Sequence, residues 1–271
     1  MLPVSDPLRT ALGLYADTVA VTVYDSVDST NNAAKQDPCK DFPALYIART
    51  QTGGRGRLGR SFHSPAHTGL YMTVAYTTDR PLTDAVRVTA AAAVAAVSAV
   101  ESRTDKQPSI KWVNDLYLNG CKIGGILTEA VTRPDGRHRM IVGLGINLTT
   151  TEFPEGLRAP ASCLFRGEEM PLVTPAFTAS LAGEITRRLL ELAEDHPACP
   201  FPGGMWGDTC LDFYRRHLLY VGECVVCTRG SEVLEGILRG VDGEYSLLVD
   251  TGDNTVSLSS GEISVRPISK I

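Results

Sequence analysis

The chain has 271 residues, 43% of them hydrophobic and 21% charged, with a formal net charge of -5. This is ordinary for a soluble globular protein of one large and one small domain, and it argues against a dedicated nucleic-acid binder, whose domain is usually basic. Seven cysteines without a regular framework point to a reducing compartment and exclude a disulfide scaffold.

The N-terminal stretch to Leu14 carries Asp6 and Arg9 and no sustained apolar run, so no signal peptide is visible and a cytoplasmic location is expected. Val19 to Tyr24 alternates β-branched residues and predicts a strand. Asp28-Ser29-Thr30-Asn31 then reads as a helix N-cap, with the helix running through Lys35. Leu45 to Thr50 predicts a second strand and Leu70 to Tyr76 a third. Asp84 to Glu101 predicts a helix, and its small-apolar run Ala90 to Val97 is too short to span a bilayer and suits close packing on a sheet. Ser109 to Trp112 begins a strand, and Leu116 to Leu118, Asn119-Gly120 and Cys121 to Ala130 form a hairpin, since Asn-Gly between apolar runs is a strong turn signal. Arg133-Pro134-Asp135-Gly136 is a second turn before a strand over Met140 to Gly145. Successive hairpins imply a mixed, mainly antiparallel sheet. Thr149 to Cys163 reads as loop, and Phe177 to Glu194 and Trp206 to Leu218 as helices. From Leu219 short strands alternate with Gly and Asp turns, which predicts a small β-barrel over 219–271 after a larger domain over 1–218. Cys224 and Cys227 are expected on a strand as small apolar residues, because the second pair or histidines that a zinc site needs do not follow.

Four segments carry candidate chemistry. Thr52 to Arg60 alternates glycine with arginine directly after an apolar strand; backbone N–H groups and guanidinium forks there can close on an anion. On a mildly acidic body, such a local positive feature fits a small anionic ligand. The hydroxyls and amide of Ser29, Thr30 and Asn31 offer donors and acceptors to a polar heterocycle, although a helix cap alone explains Ser29 or Thr30. Lys111, Asn114 and Asp115 sit at a strand end, and Lys122 starts the return strand of the hairpin. Gly124 and Gly125 inside that strand are costly unless something approaches the backbone. Gly143 to Asn147 is either a strand ending in a turn or a pocket floor.

Taken in order, Asp28 to Asn31, Gln51 to Arg60, Ser64-Pro65, Lys111 to Leu118, Lys122 to Glu129 and Gly143 to Asn147 resemble the biotin protein ligase family over residues 25 to 150, and the C-terminal β segment resembles its SH3-like domain. The resemblance implies an α+β fold like that of class II aminoacyl-tRNA synthetases: a mixed, mainly antiparallel sheet flanked by helices, followed by the SH3-like barrel. It implies an enzyme that joins biotin to ATP, giving biotinyl-5'-AMP and pyrophosphate, and then transfers biotin to a lysine of a biotin carboxyl carrier domain. Mg²⁺ is expected with ATP, without assignable ligands.

By resemblance, Ser29, Thr30, Asn31 and Gln51 bind the ureido end of biotin, and Arg55, Gly56, Arg57 and Lys122 its carboxylate and the adenylate phosphate. Lys111, Asn114, Asp115, Asn147, Arg57 and Arg60 serve the nucleotide, and Arg57, Lys111, Asp115 and Lys122 are the catalytic set. The glycine-rich loop is expected to be mobile until ligand arrives. Val113 stands where the family commonly has proline, and Phe62-His63 where a Trp-aromatic pair is common. Only 24 residues precede Asp25, too few for a helix-turn-helix, so no repressor role on DNA is expected. A monomer or a homodimer is compatible, with a lean to the dimer. The alternatives are a lipoate or octanoate ligase of the same superfamily and a non-catalytic biotin-binding sensor.

Overall fold

The computed structural model describes residues 5–37, 42–81, 85–195, 201, 204–259 and 263–268. Seven strands form the main sheet in the order β1-β2-β3-β7-β6-β5-β4: β1 (Ala20–Val27), β2 (Ala44–Gln51), β3 (Gly69–Thr78), β4 (Ser109–Lys111), β5 (Asp115–Leu118), β6 (Cys121–Thr132) and β7 (His138–Asn147). Only β1 and β2 pair in parallel; every other ladder is antiparallel. The parallel pair needs a crossover, and α2 (Thr30–Gln36) supplies it. The β5–β6 turn places Asn119 at φ 51° and Gly120 at φ 75°, the left-handed pair that Asn-Gly adopts most readily in a two-residue hairpin.

The two faces of this sheet do different jobs. Leu45, Val74 and Val142 lie in register on one face and join a core with α3 (Ala85–Arg103), α4 (Pro175–Glu194) and α1 (Asp6–Leu12). Residues 90–97 of α3 are fully buried. A helix apolar on all sides belongs inside a core, and alanine lets the sheet and α4 approach it closely. α3 is also long and apolar enough to cross a membrane, but its residues are mostly buried inside the protein. Asp84, the expected start of this helix, lies outside the described residues. The short α1 was not legible in the sequence; it lies against α4, where a Cβ on Gly183 would come within 2.7 Å of the Leu8 carbonyl.

On the opposite face, Ala44, Ala75 and Ile141 form a small cluster with Tyr46 and α2. Further along the same face come Thr73, Gly143 and Leu127, then Tyr71, Gly145 and Gly125, each set in register. Only the first turn of α2 reaches this second stretch, with Thr30 and Asn31 over Thr73 and Gly143, and beyond it the face opens into a cleft.

After α5 (Asp208–His217), Leu218 bridges β4 and the Leu219 N–H donates to the Ile110 carbonyl (2.9 Å). The C-terminal β domain has five antiparallel strands in the order β11-β10-β9-β8-β12: β8 (Cys224–Arg229), β9 (Glu232–Val241), β10 (Leu247–Asp250), β11 (Thr255–Leu258) and β12 (Ile263–Pro267). Cys224 and Cys227 both lie on β8, as expected. Cys227 is buried, and burial pushes its thiol up to about 11, while Cys224 is exposed, because residues three apart on a strand face opposite ways. For the same reason the two sulfurs do not converge on one metal.

Candidate functional site

The cleft has a volume of about 480 Å³ and receives every residue that the sequence nominated. Ser29, Thr30 and Asn31 come from the start of α2, Gln51 from the end of β2, and Arg55, Gly56, Arg57 and Arg60 from the loop that follows. Lys111, Asn114 and Asp115 come from the β4–β5 turn, Lys122 from β6 and Asn147 from β7.

One end is polar, buried and internally bonded. The Thr73 hydroxyl lies 2.8 Å from Thr30 Oγ1 and 2.7 Å from Asn31 Oδ1, with one proton to donate. Thr30 donates both its N–H (2.9 Å) and its hydroxyl (3.1 Å) to Gln51 Oε1. The Gln51 amide then donates to Ser64 Oγ (3.0 Å), which donates to the Phe62 carbonyl (3.0 Å). Ser29 occupies the N-cap position of α2 but makes no capping hydrogen bond, so the cap reading of its side chain fails. The residue lines the cleft instead. Asn31 differs. Its amide nitrogen donates to the Leu127 carbonyl (3.2 Å) and to Glu129 Oε2 (2.9 Å), so both donors are used within the protein.

The floor is bare backbone. A Cβ on Gly143 would sit 2.1 Å from Asn31 Oδ1, and one on Gly145 would sit 2.4 Å from the Phe62 ring. These glycines are required by close approach of side chains above the sheet, which answers the pocket-floor alternative for this segment. A Cβ on Gly125 would only reach ordinary van der Waals contact with Asp115 Oδ1 and Lys122 Nζ, both at 3.5 Å, so no close approach requires this glycine.

The other end is cationic. Arg57 Nη1 donates to Asn114 Oδ1 (3.1 Å), and Asn114 Nδ2 donates to the Ile126 carbonyl (3.0 Å) and lies 3.3 Å from Asp115 Oδ1. Lys122 Nζ donates to Asp115 Oδ1 at 2.6 Å. One hydrogen-bonded string therefore joins the glycine-rich loop to the hairpin. Lys111 Nζ lies 5.5 Å from the Tyr117 ring centroid and 6.0 Å from that of Tyr220. Burial first, then repulsion from Lys122 and Arg266, lowers its pKa, against the attraction of Asp115. Arg55 donates to Asn32 Oδ1 (2.9 Å) and Arg60 is exposed at the rim. The loop is folded back on itself by an Arg55–Ser61 bridge. Asn147 donates to the Ser162 carbonyl (3.0 Å), while its buried Oδ1 has no hydrogen-bond partner among the described residues.

Two family models match in order: the Biotin/lipoate A/B protein ligase family over residues 23–147 and the Biotin protein ligase C terminal domain over residues 222–266. The chain belongs to the biotin protein ligase family. The bifunctional ligase/repressor BirA of Bacillus spizizenii is 35% identical over 153 residues, which are 56% of this chain and 45% of that protein. The chain thus spans about half the length of this curated relative. The biotin–[acetyl-CoA-carboxylase] ligase of Mycobacterium tuberculosis is 27% identical over 226 residues, 81% of this chain and 77% of that protein. Among solved structures, the Aquifex aeolicus biotin protein ligase in complex with biotin and ATP matches with a TM-score of 0.67 at 25% identity, covering 92% of this chain and 99% of that one.

Several residues that line or brace the cleft carry no signal in the sequence. Thr73 and Glu129 do not line it but bond Thr30 and Asn31, which do. Glu129 accepts from Asn31 and pairs with Lys35 Nζ at 2.6 Å. Burial pushes its pKa up, but the hydrogen bonds from Lys35 and Asn31 outweigh that and hold it below the usual range. Phe153, Leu157 and Arg158 reach the cleft from the loop after β7, and Ser264 and Arg266 from β12. Only register pairing and the docking of the second sheet bring them there. His63 also lines the cleft.

Proposed function

We propose that the protein is an ATP-dependent biotin protein ligase that forms biotinyl-5'-AMP and then biotinylates a lysine of a carboxyl carrier domain. In the first step a biotin carboxylate oxygen bonds to the α-phosphorus of ATP and pyrophosphate leaves. In the second the carrier amine attacks the acyl carbon, loses a proton, and AMP leaves.

The observation that carries the reading is the string Arg57–Asn114–Asp115–Lys122 at one end of a cleft whose other end is a bonded polar cradle. Negative charge builds at carboxylate and phosphate oxygens in both steps, and prearranged cations stabilise it without reorganising. In this reading Ser29, Thr30 and Gln51 hold the ureido ring, and Asn31 shapes that end through its own bonds. Arg55, Gly56, Arg57 and Lys122 take the carboxylate and α-phosphate. Arg60, Lys111, Asn114 and Asn147 face the nucleotide, and Asp115 orients Lys122 and receives the incoming amine. Asp115 is the single carboxylate lining the cleft among the described residues and is already paired with Lys122. Mg²⁺ therefore fits as an ion carried mainly by the ATP phosphates, where it neutralises charge.

The reading divides the chain at 218/219 and places the reaction in the cytoplasm, where ATP is available. It assigns no role on DNA, in keeping with the net charge of -5. Pyrophosphate exchange into ATP tests it. Exchange that requires biotin supports the ligase, exchange with lipoate instead indicates the superfamily rival, and biotin binding without exchange indicates a sensor.

A further inference from the structure

The β9–β10 turn of the C-terminal domain reaches over α5 and touches the β4–β5 turn from behind. Tyr245 lies at its tip, fully buried and at φ 61°. Its carbonyl accepts the Trp112 indole N–H at 2.7 Å. Its ring packs edge-on to Tyr214 (5.2 Å between centroids, 88°), and the Tyr214 hydroxyl donates to the Val113 carbonyl at 3.4 Å. Trp112 and Val113 are the two residues between Lys111 and Asn114; Lys111, Trp112 and Asn114 line the cleft, while the Trp112 indole N–H is turned to the second sheet. The turn that carries the cations is thus held from its buried side by a different sheet.

The tip is itself fixed. Asp242 Oδ1 accepts the Glu244 and Ser246 N–H groups, both at 2.9 Å, and Asp242 Oδ2 accepts from Ser257 (3.1 Å). From α3, Arg87 donates to the Gly243 carbonyl (3.2 Å) and to Glu244 (2.8 Å), and its guanidinium lies 5.7 Å from the Tyr245 ring centroid. A residue in left-handed conformation persists where its surroundings over-determine it, and here they do.

We propose that Tyr245 is a positioning residue for the Lys111–Asp115 turn, acting through Trp112, so that the C-terminal domain sets the geometry of the adenylating cations. The inference rests on the ligase reading above. It separates the two ends of the cleft: loosening the clamp displaces Lys111 and Asn114 and leaves the polar cradle at Thr30 and Gln51 untouched.

The test compares wild type, Trp112→Phe, Asp242→Ala, the double variant and Asp242→Asn. A displaced charge contact or lost hydrogen bond costs about tenfold in rate. Each of Trp112→Phe and Asp242→Ala lowers kcat of biotin-dependent pyrophosphate exchange by about that factor, with the Kd for biotin within about twofold. The double variant is no slower than the slower single, because both break one contact. Asp242→Asn keeps the acceptor and keeps most of the rate.

A wild-type rate in Asp242→Ala, multiplying losses in the double variant, or biotin affinity falling in step with kcat overturns the proposal. If Asp242→Ala fails to fold, an undiminished rate in Trp112→Phe overturns it and a selective loss of kcat upholds it. Hydrogen exchange at the Trp112 indole separates this idea from the ligase reading. Slow exchange in wild type and Asp242→Asn and fast exchange in Asp242→Ala, relative to a remote control such as Arg229→Ala, upholds the clamp even in a protein that shows no pyrophosphate exchange; equal protection in Asp242→Ala and wild type overturns it.

Discussion

The two ends of the cleft are built on opposite principles. At the α2 end, Thr73, Thr30, Gln51 and Ser64 bond one another in sequence over a floor of glycine backbone, and Ser29, Thr30 and Asn31 are at most 3% exposed. At the hairpin end, Arg55 and Arg60 are exposed, and Lys122 retains 32% side-chain exposure although it is paired with Asp115. A buried, satisfied network gives shape and rigidity, since each unmade bond there is costly. A cationic rim in partial contact with water gives charge that a ligand can recruit. Recognition of an uncharged ring and stabilisation of an anionic transition state call for these two different constructions.

The largest break in this comparison comes from deleting rim charge. Arg57→Ala or Lys122→Ala lowers biotin-dependent pyrophosphate exchange by about 10²-fold, as removal of one transition-state contact typically does. The thermal midpoint stays within a few degrees, because partly exposed ion pairs contribute little to stability. Exchange at the wild-type rate in either variant would remove that residue from the chemistry.

Gly143→Ala attacks the other end and reverses the pattern. The added methyl meets Asn31 Oδ1 at 2.1 Å, and Asn31 is held by Leu127, Glu129 and Thr73, so it cannot swing away freely. The expected cost is about 1–3 kcal/mol of stability, as for other overpacked sites. Biotin affinity falls with it, while the cation string at the hairpin is left in place. Chemical denaturation and biotin titration of the same sample check this; unchanged stability would mean that the floor yields more than the hydrogen bonds suggest.

The same contrast explains what the sequence disclosed. The rim was legible because its residues come in short runs of unusual composition, such as Gly53 to Arg60 and Lys111 to Asp115, each placed at a strand end. The Asn119-Gly120 turn and the alanine-rich α3 were legible because local chemistry alone dictates them. The cradle was only half legible. Thr73 sits in an apolar strand like any threonine, and its importance comes from lying opposite Gly143 and Tyr46 in the ladder. Glu129 looks like a solvated strand carboxylate until Lys35 and Asn31 are brought over it. Asn31 lines the cleft, but its amide nitrogen is spent on the protein's own bonds, which no local pattern reveals. Ser264 and Arg266 lie over a hundred residues from the hairpin and enter by domain docking, which no local pattern encodes.

The smallest effect concerns Lys111, where the two principles meet, since it is a rim cation that is half-buried. Its pKa is lowered chiefly by burial. The unfolded chain therefore holds this proton more tightly than the folded one, so the group opposes folding while charged. Its contribution to stability rises with pH as Lys111 loses its proton, in the window between its lowered pKa and the ordinary 10.5. Buried tyrosines act with the opposite sign in the same alkaline range: burial pushes Tyr76, Tyr214 and Tyr245 up, so folding holds protons that the unfolded chain releases. The lysine term is thus visible only as a difference. Lys111→Met removes the charge and keeps the stem between Tyr117 and Tyr220. At neutral pH it should unfold no more easily than wild type, and it gains up to about 1 kcal/mol from relieved desolvation. The gain shrinks as pH rises through the titration of the native lysine, while pyrophosphate exchange is reduced at every pH. Denaturation of both proteins across neutral to alkaline pH measures it. A variant destabilised at neutral pH would show that the two rings and Asp115 stabilise the ammonium more than burial penalises it, and the rim would then be as well satisfied at that point as the cradle.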